Sequence, residues 1–531
     1  MMARVRQVGA DRRLANKVGR SLVAMLAGAL VFAVAASAGA ASIRVVGTSD
    51  EDSRSIRRFI ENAIQTFEAQ AGIPLVFDDS ILVTRTDGRS FVVTVPAVSI
   101  EIASPNGLTA VRVDASEAQI TARESSLFDF AADGLPGMRV SAGDSELTFR
   151  LSFLGARIRG TYDTASGLTP RTSAQVDSVL VEDGDGFVSL RFDNLVTEDS
   201  TSSSGNGLVD FESRSSLGPI VMDVLGGQSR IENLEGVITA TGVPFDDYIA
   251  RRYRGMNGLT EDAVDQAMRV MRGVAGSHRY DFKLSGMAFA TFGGGRLEIE
   301  KIDSLLLSGR ESEQHVDAKN VRYSPPTENL GRALRIETAG VSSRITLDPN
   351  DLLNVNQRVR FSGLKSDSTL SRFIPTEGSI ELGVDAVPIR ELMVLAASLE
   401  AEGSGAPQDP AASIGPLIAM IAAAGSRAYL ETLDLKGREA GAVLESRVEF
   451  DLASSRFTTT PNRLAVRGIG PLVAALSANA NASAQLLEML GFAGAMGRTE
   501  VRGDETVHIY ELGNGPNGGF TLNGWPLGGP Q

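Results

Sequence analysis

The stretch Ile81-Leu82-Val83-Thr84-Arg85-Thr86-Asp87-Gly88-Arg89-Ser90-Phe91-Val92-Val93-Thr94-Val95 decides the fold. Two runs rich in β-branched and aromatic residues flank a turn dipeptide, the pattern of a β-hairpin. Asp87-Gly88 supplies the positive φ angles that a tight two-residue turn requires. Outward from this hairpin the pattern continues. Val98, Ile100 and Ile102 keep to one face, Pro105-Asn106-Gly107 turns the chain, and Val111, Val113 and Ala115 return. Segments 147–153 and 187–192 alternate in the same way, the second after the turn Asp183-Gly184-Asp185-Gly186. Further strands are expected at 280–284, 287–292, 296–302, 316–323, 334–338, 343–347, 358–362, 380–384, 429–436, 443–452 and 507–512. Period-two alternation on one face argues for antiparallel sheet with a wet side rather than buried parallel sheet. No repeat of fixed period is evident, which argues against propellers and short-repeat solenoids.

Helices interrupt the strands. Ile56, Phe59, Ile60, Ala63, Ile64 and Phe67 follow helical spacing, and Gly72 with Pro74 ends the run. Segments 245–253 and 260–273 form a second helical region, the latter opening at Thr260 with Glu261 and Asp262. Segments 389–400, 414–427 and 470–490 complete the set. Three times a strand runs into a helix at a proline, near Pro244, Pro388 and Pro471, where the missing N–H is harmless. The Ser/Thr-rich stretch 198–207 and the Gly/Pro/Ala stretch 402–413 read as exposed loops. The fold class is therefore α+β and β-rich: a long curved antiparallel sheet or meander with a few amphipathic helices inserted.

The first forty residues read as an export signal. Arg4, Arg6, Arg12, Arg13, Lys17 and Arg20 precede an uncharged run over 21–42 that ends in Ala36-Ser37-Ala38-Gly39-Ala40, a small-x-small pattern that signal peptidase accepts. The alternative is an uncleaved N-terminal membrane anchor, since the run is just long enough to span a bilayer. The expected layout is residues 1–40 as signal peptide or anchor, 41–243 as a β-rich region, 244–276 as a helical insertion, and 277–531 as a second β-rich region with helices near 389–427 and 470–490. The expected compartment is outside the cytoplasm, the periplasm first.

The chain has 531 residues, 43% of them hydrophobic, with a formal net charge of −14. That is enough apolar material for a large core. Loss of the basic first forty residues leaves the rest more acidic still, a poor match for nucleic acid. With no Cys, disulfides, thiolate metal sites and Cys nucleophiles are excluded. The three histidines, His278, His315 and His508, are far apart in sequence, so no local His-based metal motif exists.

Four short patterns carry possible chemistry. Gly513, Gly515 and Gly518 satisfy G-x-G-x-x-G, but the following segment reads as a strand, so a turn is the better reading than a dinucleotide loop. Ser362-Gly363-Leu364-Lys365 matches the S-x-x-K of penicillin-binding enzymes without the partner motifs. Acidic clusters at Asp50-Glu51-Asp52 and Glu182-Asp183-Gly184-Asp185 fall short of a calcium loop; the first reads as helix N-terminal charge and the second as a turn. Arg251, Arg252 and Arg254 with Tyr248 and Tyr253 form a basic–aromatic patch that could dock an anionic ligand or a partner, against a solvated helix face as the plainer reading. No catalytic, cofactor or metal residues are assigned.

The closing segment, His508-Ile509-Tyr510-Glu511-Leu512, a Gly-rich turn, then Gly519-Phe520-Thr521-Leu522-Asn523-Gly524-Trp525-Pro526-Leu527, has the form of a terminal hairpin. With the 81–95 hairpin and the strand–Pro–helix units, it resembles uncharacterised exported proteins of Gram-negative bacteria and, more distantly, AsmA-like and YdgA-like envelope proteins. The resemblance implies a curved sheet whose apolar groove holds lipid or an envelope component, with no catalytic residues. The chain is expected to be a non-enzymatic envelope protein binding lipid or a protein partner through a groove near 81–83 and 91–93, with membrane contact only through an uncleaved N-terminus. The alternatives are a surface interaction or adhesion module, and a hydrolase of cell-wall or lipid substrates whose Ser, His and acid would assemble from distant segments.

Overall fold

A computed structural model describes residues 45–526 except 48–49, 72–74, 105–106, 124–125, 143–147, 184–187, 225–226, 246–260, 275, 292–294, 310, 327–332, 403–409, 459–461, 479–483 and 516–518. Strand makes up 66% and helix 15%, so the fold is β-rich α+β with long antiparallel sheet. By contacts the chain divides into unit 1, Met1–Gln228 with Glu235–Thr260, and unit 2, Ser229–Leu234 with Glu261–Gln531.

Unit 1 begins with β1 (Val45–Gly47), helix α1 (Glu51–Ala71) and β2 (Leu75–Phe77). Four hairpins follow: β3 (Ile81–Asp87) with β4 (Ser90–Val95), β5 (Val98–Ser104) with β6 (Gly107–Val113), β7 (Ser116–Ala122) with β8 (Leu127–Asp133), and β9 (Met138–Ala142) with β10 (Thr148–Leu154). Successive hairpins join alternate sheets. β4 pairs β7, and β8 pairs β11 (Arg157–Asp163); β6 pairs β9, and β2 pairs β5. β1 adds to β3 in parallel. The sixteen-residue strand β12 (Leu168–Asp183) ties the two series together: its first half pairs β11 and its second half pairs β10. One sheet is thus bent double along β12. The links 96–97, 114–115, 134–137 and 155–156 all cross between its halves at one end. β13 (Val188–Gly205) lines the other edge of β12, and β14 (Leu208–Leu217), β15 (Ile220–Val224) and β16 (Gly227–Pro244) follow.

Alternation fills the space inside the bend. Ile81, Val83, Phe91, Val93 and Val95 of one half and Val98, Ile100, Val111, Val140 and Leu151 of the other are all buried in one cluster. Leu82, between two buried neighbours, is exposed. Helix α1 contributes Ile56, Ile60 and Ile64, each nearly inaccessible to solvent. Burying three isoleucines is worth roughly 1.5–3 kcal/mol apiece, far more than helix propensity supplies.

Unit 2 opens with helix α2 (Glu261–Met271) and continues as an antiparallel meander. Its strands are β17 (Ser277–Ala290), β18 (Arg296–Ser308), β19 (Glu311–Ser324), β20 (Leu334–Leu347), β21 (Leu352–Ser362), the short β22 (Lys365–Ser366), β23 (Glu377–Pro388) and β24 (Arg427–Lys436). Helices α3 (Ile389–Glu402) and α4 (Pro410–Ala423) lie between β23 and β24 in sequence. Then come β25 (Gly441–Leu444), β26 (Val448–Asp451), β27 (Arg456–Phe457), β28 (Asn462–Arg467), helices α5 (Ile469–Ser477) and α6 (Ala484–Met496), β29 (Arg498–Arg502), β30 (Glu505–Asn514), β31 (Phe520–Leu522) and β32 (Trp525–Pro526). Cross-strand register builds an apolar row, Val316–Val341–Val359–Ile380–Leu433, each directly opposite the next and each only half-buried.

Several expectations are corrected. In the 81–95 hairpin Asp87 pairs with Ser90 and stays in the strand; only Gly88, at φ +46°, takes positive φ, and a bulge between Arg85 and Asp87 absorbs the extra residue. Stretch 198–207 is not a loop. Its residues to Gly205 form the far half of β13, opposite β14, and Thr201 is buried. Ser and Thr pair across the ladder there, as Thr197 and Ser215 do at 3.3 Å. Segment 470–490 is two helices, not one. Expected strands 280–284 and 287–292 are one strand that passes Gly286 at φ +61°, while 443–452 is two. The helix expected at 414–427 spans Pro410–Ala423, and a strand begins by Arg427.

Candidate functional site

The feature best suited to hold a ligand lies inside the bend of unit 1. A cavity of about 110 Å³ sits between the two sheet halves, α1 and the crossing links. Its inner wall is apolar: Ile60 from α1, Leu75 from β2, Val93 from β4, Val113 from β6, Phe128 and Phe130 from β8. Phe59 packs its ring 4.0 Å from that of Tyr162, closing the side beneath α1. The wall at the crossing end is built from turns. The Asp114 N–H donates to the Gly137 carbonyl at 2.9 Å, and the Gly134 N–H donates to Ala156 at 2.7 Å, which fixes the links side by side. Asp114 and Glu117 are exposed there, whereas the residues deeper in the bend are buried, so this end is the mouth.

Helix α1 is held over the cavity by its N-terminus. The Ser53 N–H donates to Asp50 Oδ1 at 2.8 Å, an end cap. Asp52 pairs with Arg89 at the tip of the first hairpin. The 50–52 cluster therefore serves as helix N-terminal charge and as an anchor to the sheet.

Unit 2 holds a second, more open hollow of about 410 Å³, where Leu435, Leu464 and Val466 of the sheet face Ile469, Leu472 and Leu490 of α5 and α6. On β30, His508 Nδ1 is buried without a hydrogen-bond partner.

The residues singled out by sequence are dispersed. Arg251, Arg252, Arg254, Tyr248 and Tyr253 lie outside the described residues. Gly513 and Gly515 belong to an antiparallel connection in which Gly515 N–H donates to Gly519 at 2.6 Å, so strand meets strand and no helix follows; Gly518 lies outside the described residues. Ser362 Oγ is 2.7 Å from Thr338 Oγ1, and Lys365 Nζ donates to Glu337 Oε1 at 2.7 Å. The Ser ends β21 and the Lys opens the short β22, so the two do not share a helix. His278 is buried beside Tyr280, their ring centroids 6.4 Å apart, and His315 is 3.8 Å from Glu313 on the sheet surface. Among the described residues no group of three or more His, Asp or Glu is placed to hold a metal. Among them, too, no helix is long and apolar enough to cross a membrane. Of segments 81–83 and 91–93, where a groove was expected, Ile81, Val83, Phe91 and Val93 are buried in the core cluster and Leu82 is exposed; of these only Val93 lines the cavity. The turn residues at the mouth carried no sequence signal of a site, because only the crossing of distant hairpins brings them together. Comparison with protein-family models, with curated proteins and with solved structures gave no match.

Proposed function

We propose that this protein is a non-enzymatic, exported envelope protein that holds the apolar part of a lipid-like ligand inside the bent sheet of unit 1. The observation that carries the reading is the cavity between the two sheet halves, largely apolar within and with its charged lining groups at the mouth, the usual build of a small-molecule site. Its size limits the guest. At about 110 Å³ it is smaller than the ~150 Å³ aliphatic cavity that takes up benzene. It suits the end of an alkyl chain, with the rest of the amphiphile at the mouth. Each methylene removed from water contributes about 0.8 kcal/mol, so a few buried carbons give modest, exchangeable binding. Export rests on the leader pattern in the first forty residues, and the AsmA-like resemblance agrees with an envelope role.

The test is uptake of N-dodecyl dansylamide, a fluorescent dye whose free alkyl end suits the cavity, by the purified full chain, with Ala118→Phe and Ala132→Phe as cavity-filling variants. Both alanines line the cavity and are half-buried. Saturable dye binding that both variants reduce, with circular dichroism unchanged, supports the reading. Undiminished binding in folded variants, or no binding by the wild type, removes it.

A further inference from the structure

The mouth of the unit 1 cavity has a charge pattern that selects among amphiphiles. Resting on the apolar-ligand reading above, we infer that the cavity takes chains whose head group is uncharged or cationic and donates hydrogen bonds, and that it turns away anionic ones. Among the described residues no Lys, Arg or His lines the cavity; its charged lining groups are Asp114 and Glu117, both exposed at the mouth. Ser116, which opens β7, also lines it. Glu117 is held in place by Thr94, whose hydroxyl donates to Oε1 at 3.3 Å. Asp114 is fixed by its backbone bond to Gly137.

Two arginines of the neighbouring strands are already committed. Arg112, which precedes this link and feels the charge of Asp114, makes a two-pronged contact with Asp78, at 2.5 and 3.4 Å, and donates to Ser99. Arg159 pairs with Asp133 at 3.0 Å. Among the described residues of helix α1, Ile56, Phe59 and Ile60 line the cavity. A carboxylate or phosphate arriving with its chain in the cavity therefore meets two like charges, and among the described residues no cation in the lining. Repulsion of this kind grows where protein wall replaces water. An ammonium or a glycerol head meets carboxylate acceptors instead, and hydrogen bonds to charged acceptors are the stronger class.

The experiment is displacement of the bound dodecyl dye from the full chain at pH 7.4 by dodecylamine, monolaurin and laurate, each below its aggregation concentration. These share an alkyl length and differ in head group. Dodecylamine and monolaurin are expected to displace the dye at concentrations at least tenfold below laurate. The double variant Asp114→Asn/Glu117→Gln alters two exposed side chains and is expected to bring laurate level with monolaurin. Laurate competing as well as monolaurin against the wild type overturns the inference while leaving the apolar-ligand reading intact. A laurate deficit that persists in the folded double variant also overturns it. Failure of the dye itself to bind removes the underlying reading and is seen before any competitor is added.

Discussion

The side-chain amide of Asn523 donates to the Met496 carbonyl at 2.6 Å and to the Ile509 carbonyl at 3.1 Å. Its Oδ1 accepts the Glu511 N–H at 2.7 Å. One residue thus fastens the last hairpin to the end of α6 and to β30. Asn523 and Gly524 both have positive φ, +51° and +81°, and Leu522 pairs with Trp525 across them, the two-residue turn that Asn-Gly favours. Asn523→Ala loses all three side-chain bonds and strains the turn, at an expected cost of about 1–3 kcal/mol. Asn523→Gly keeps the turn and loses only the bonds. Hydrogen exchange of 505–526 checks this: both variants exchange faster than wild type, the alanine variant most.

The S-x-x-K match is inert by its surroundings. Lys365 is ion-paired to Glu337, and that hydrogen bond holds the Glu337 carboxyl below its ordinary range. A charged, paired ammonium cannot take a proton from Ser362, whose hydroxyl is shared with Thr338. Incubation with a fluorescent penicillin is expected to leave no covalent adduct by intact mass. An adduct lost in Ser362→Ala refutes this.

Unit 2 carries an acid-labile clamp between α2 and the β20–β21 turn. Arg272 Nε donates to Asp351 Oδ1 at 2.9 Å, and its Nη2 contacts the other oxygen. The Arg272 hydrogen bond holds the Asp351 carboxyl below its ordinary value of 3.8. A carboxyl depressed in the folded state stabilises above its unfolded value and loses that contribution as pH falls through the folded one. Both partners are partly exposed, so the effect is modest. Asp351→Asn keeps the positive φ of +62°, which Asn tolerates. The variant is expected to melt lower than wild type at pH 7, with the gap closing below pH 3.8. Thermal unfolding across pH 2–7 measures it.

What was legible in the sequence was what neighbouring residues decide. The helix through Ile56, Ile60 and Ile64 and the alternation at Phe91, Val93 and Val95 follow from local spacing. The Ser/Thr stretch 198–205 was misread because composition alone marks it as loop; its strand state comes from the partner β14, which supplies hydroxyl and backbone partners across the ladder. The cavity was half visible. Its apolar walls follow from alternation, but its mouth is made by links 96–97, 114–115 and 134–137, which meet only because successive hairpins join opposite halves of the sheet.

Gly160 and Phe130 face each other across β11 and β8, and Phe130 is part of the cavity wall. A Cβ on Gly160 would sit 2.4 Å from Phe130 Cζ and 2.8 Å from the Arg171 carbonyl oxygen, so the ring lies over the bare glycine. Gly378 beneath Phe361 and Gly383 beneath Tyr429 repeat the device in unit 2. Aromatic cover over a strand glycine restores packing that glycine itself lacks. Because Phe130 also lines the cavity, Gly160→Ala must displace the ring, and the backbone oxygen blocks an easy escape. The expected cost is about 1–3 kcal/mol, typical of overpacking, together with weaker dye uptake. Phe130→Leu removes the part of the clash that comes from the ring. The double variant Gly160→Ala/Phe130→Leu should therefore be less destabilised than the two single effects combined. Chemical unfolding of the four proteins, followed by unit 1 hydrogen exchange, measures the coupling. Strict additivity would mean that the ring and the glycine do not share this space.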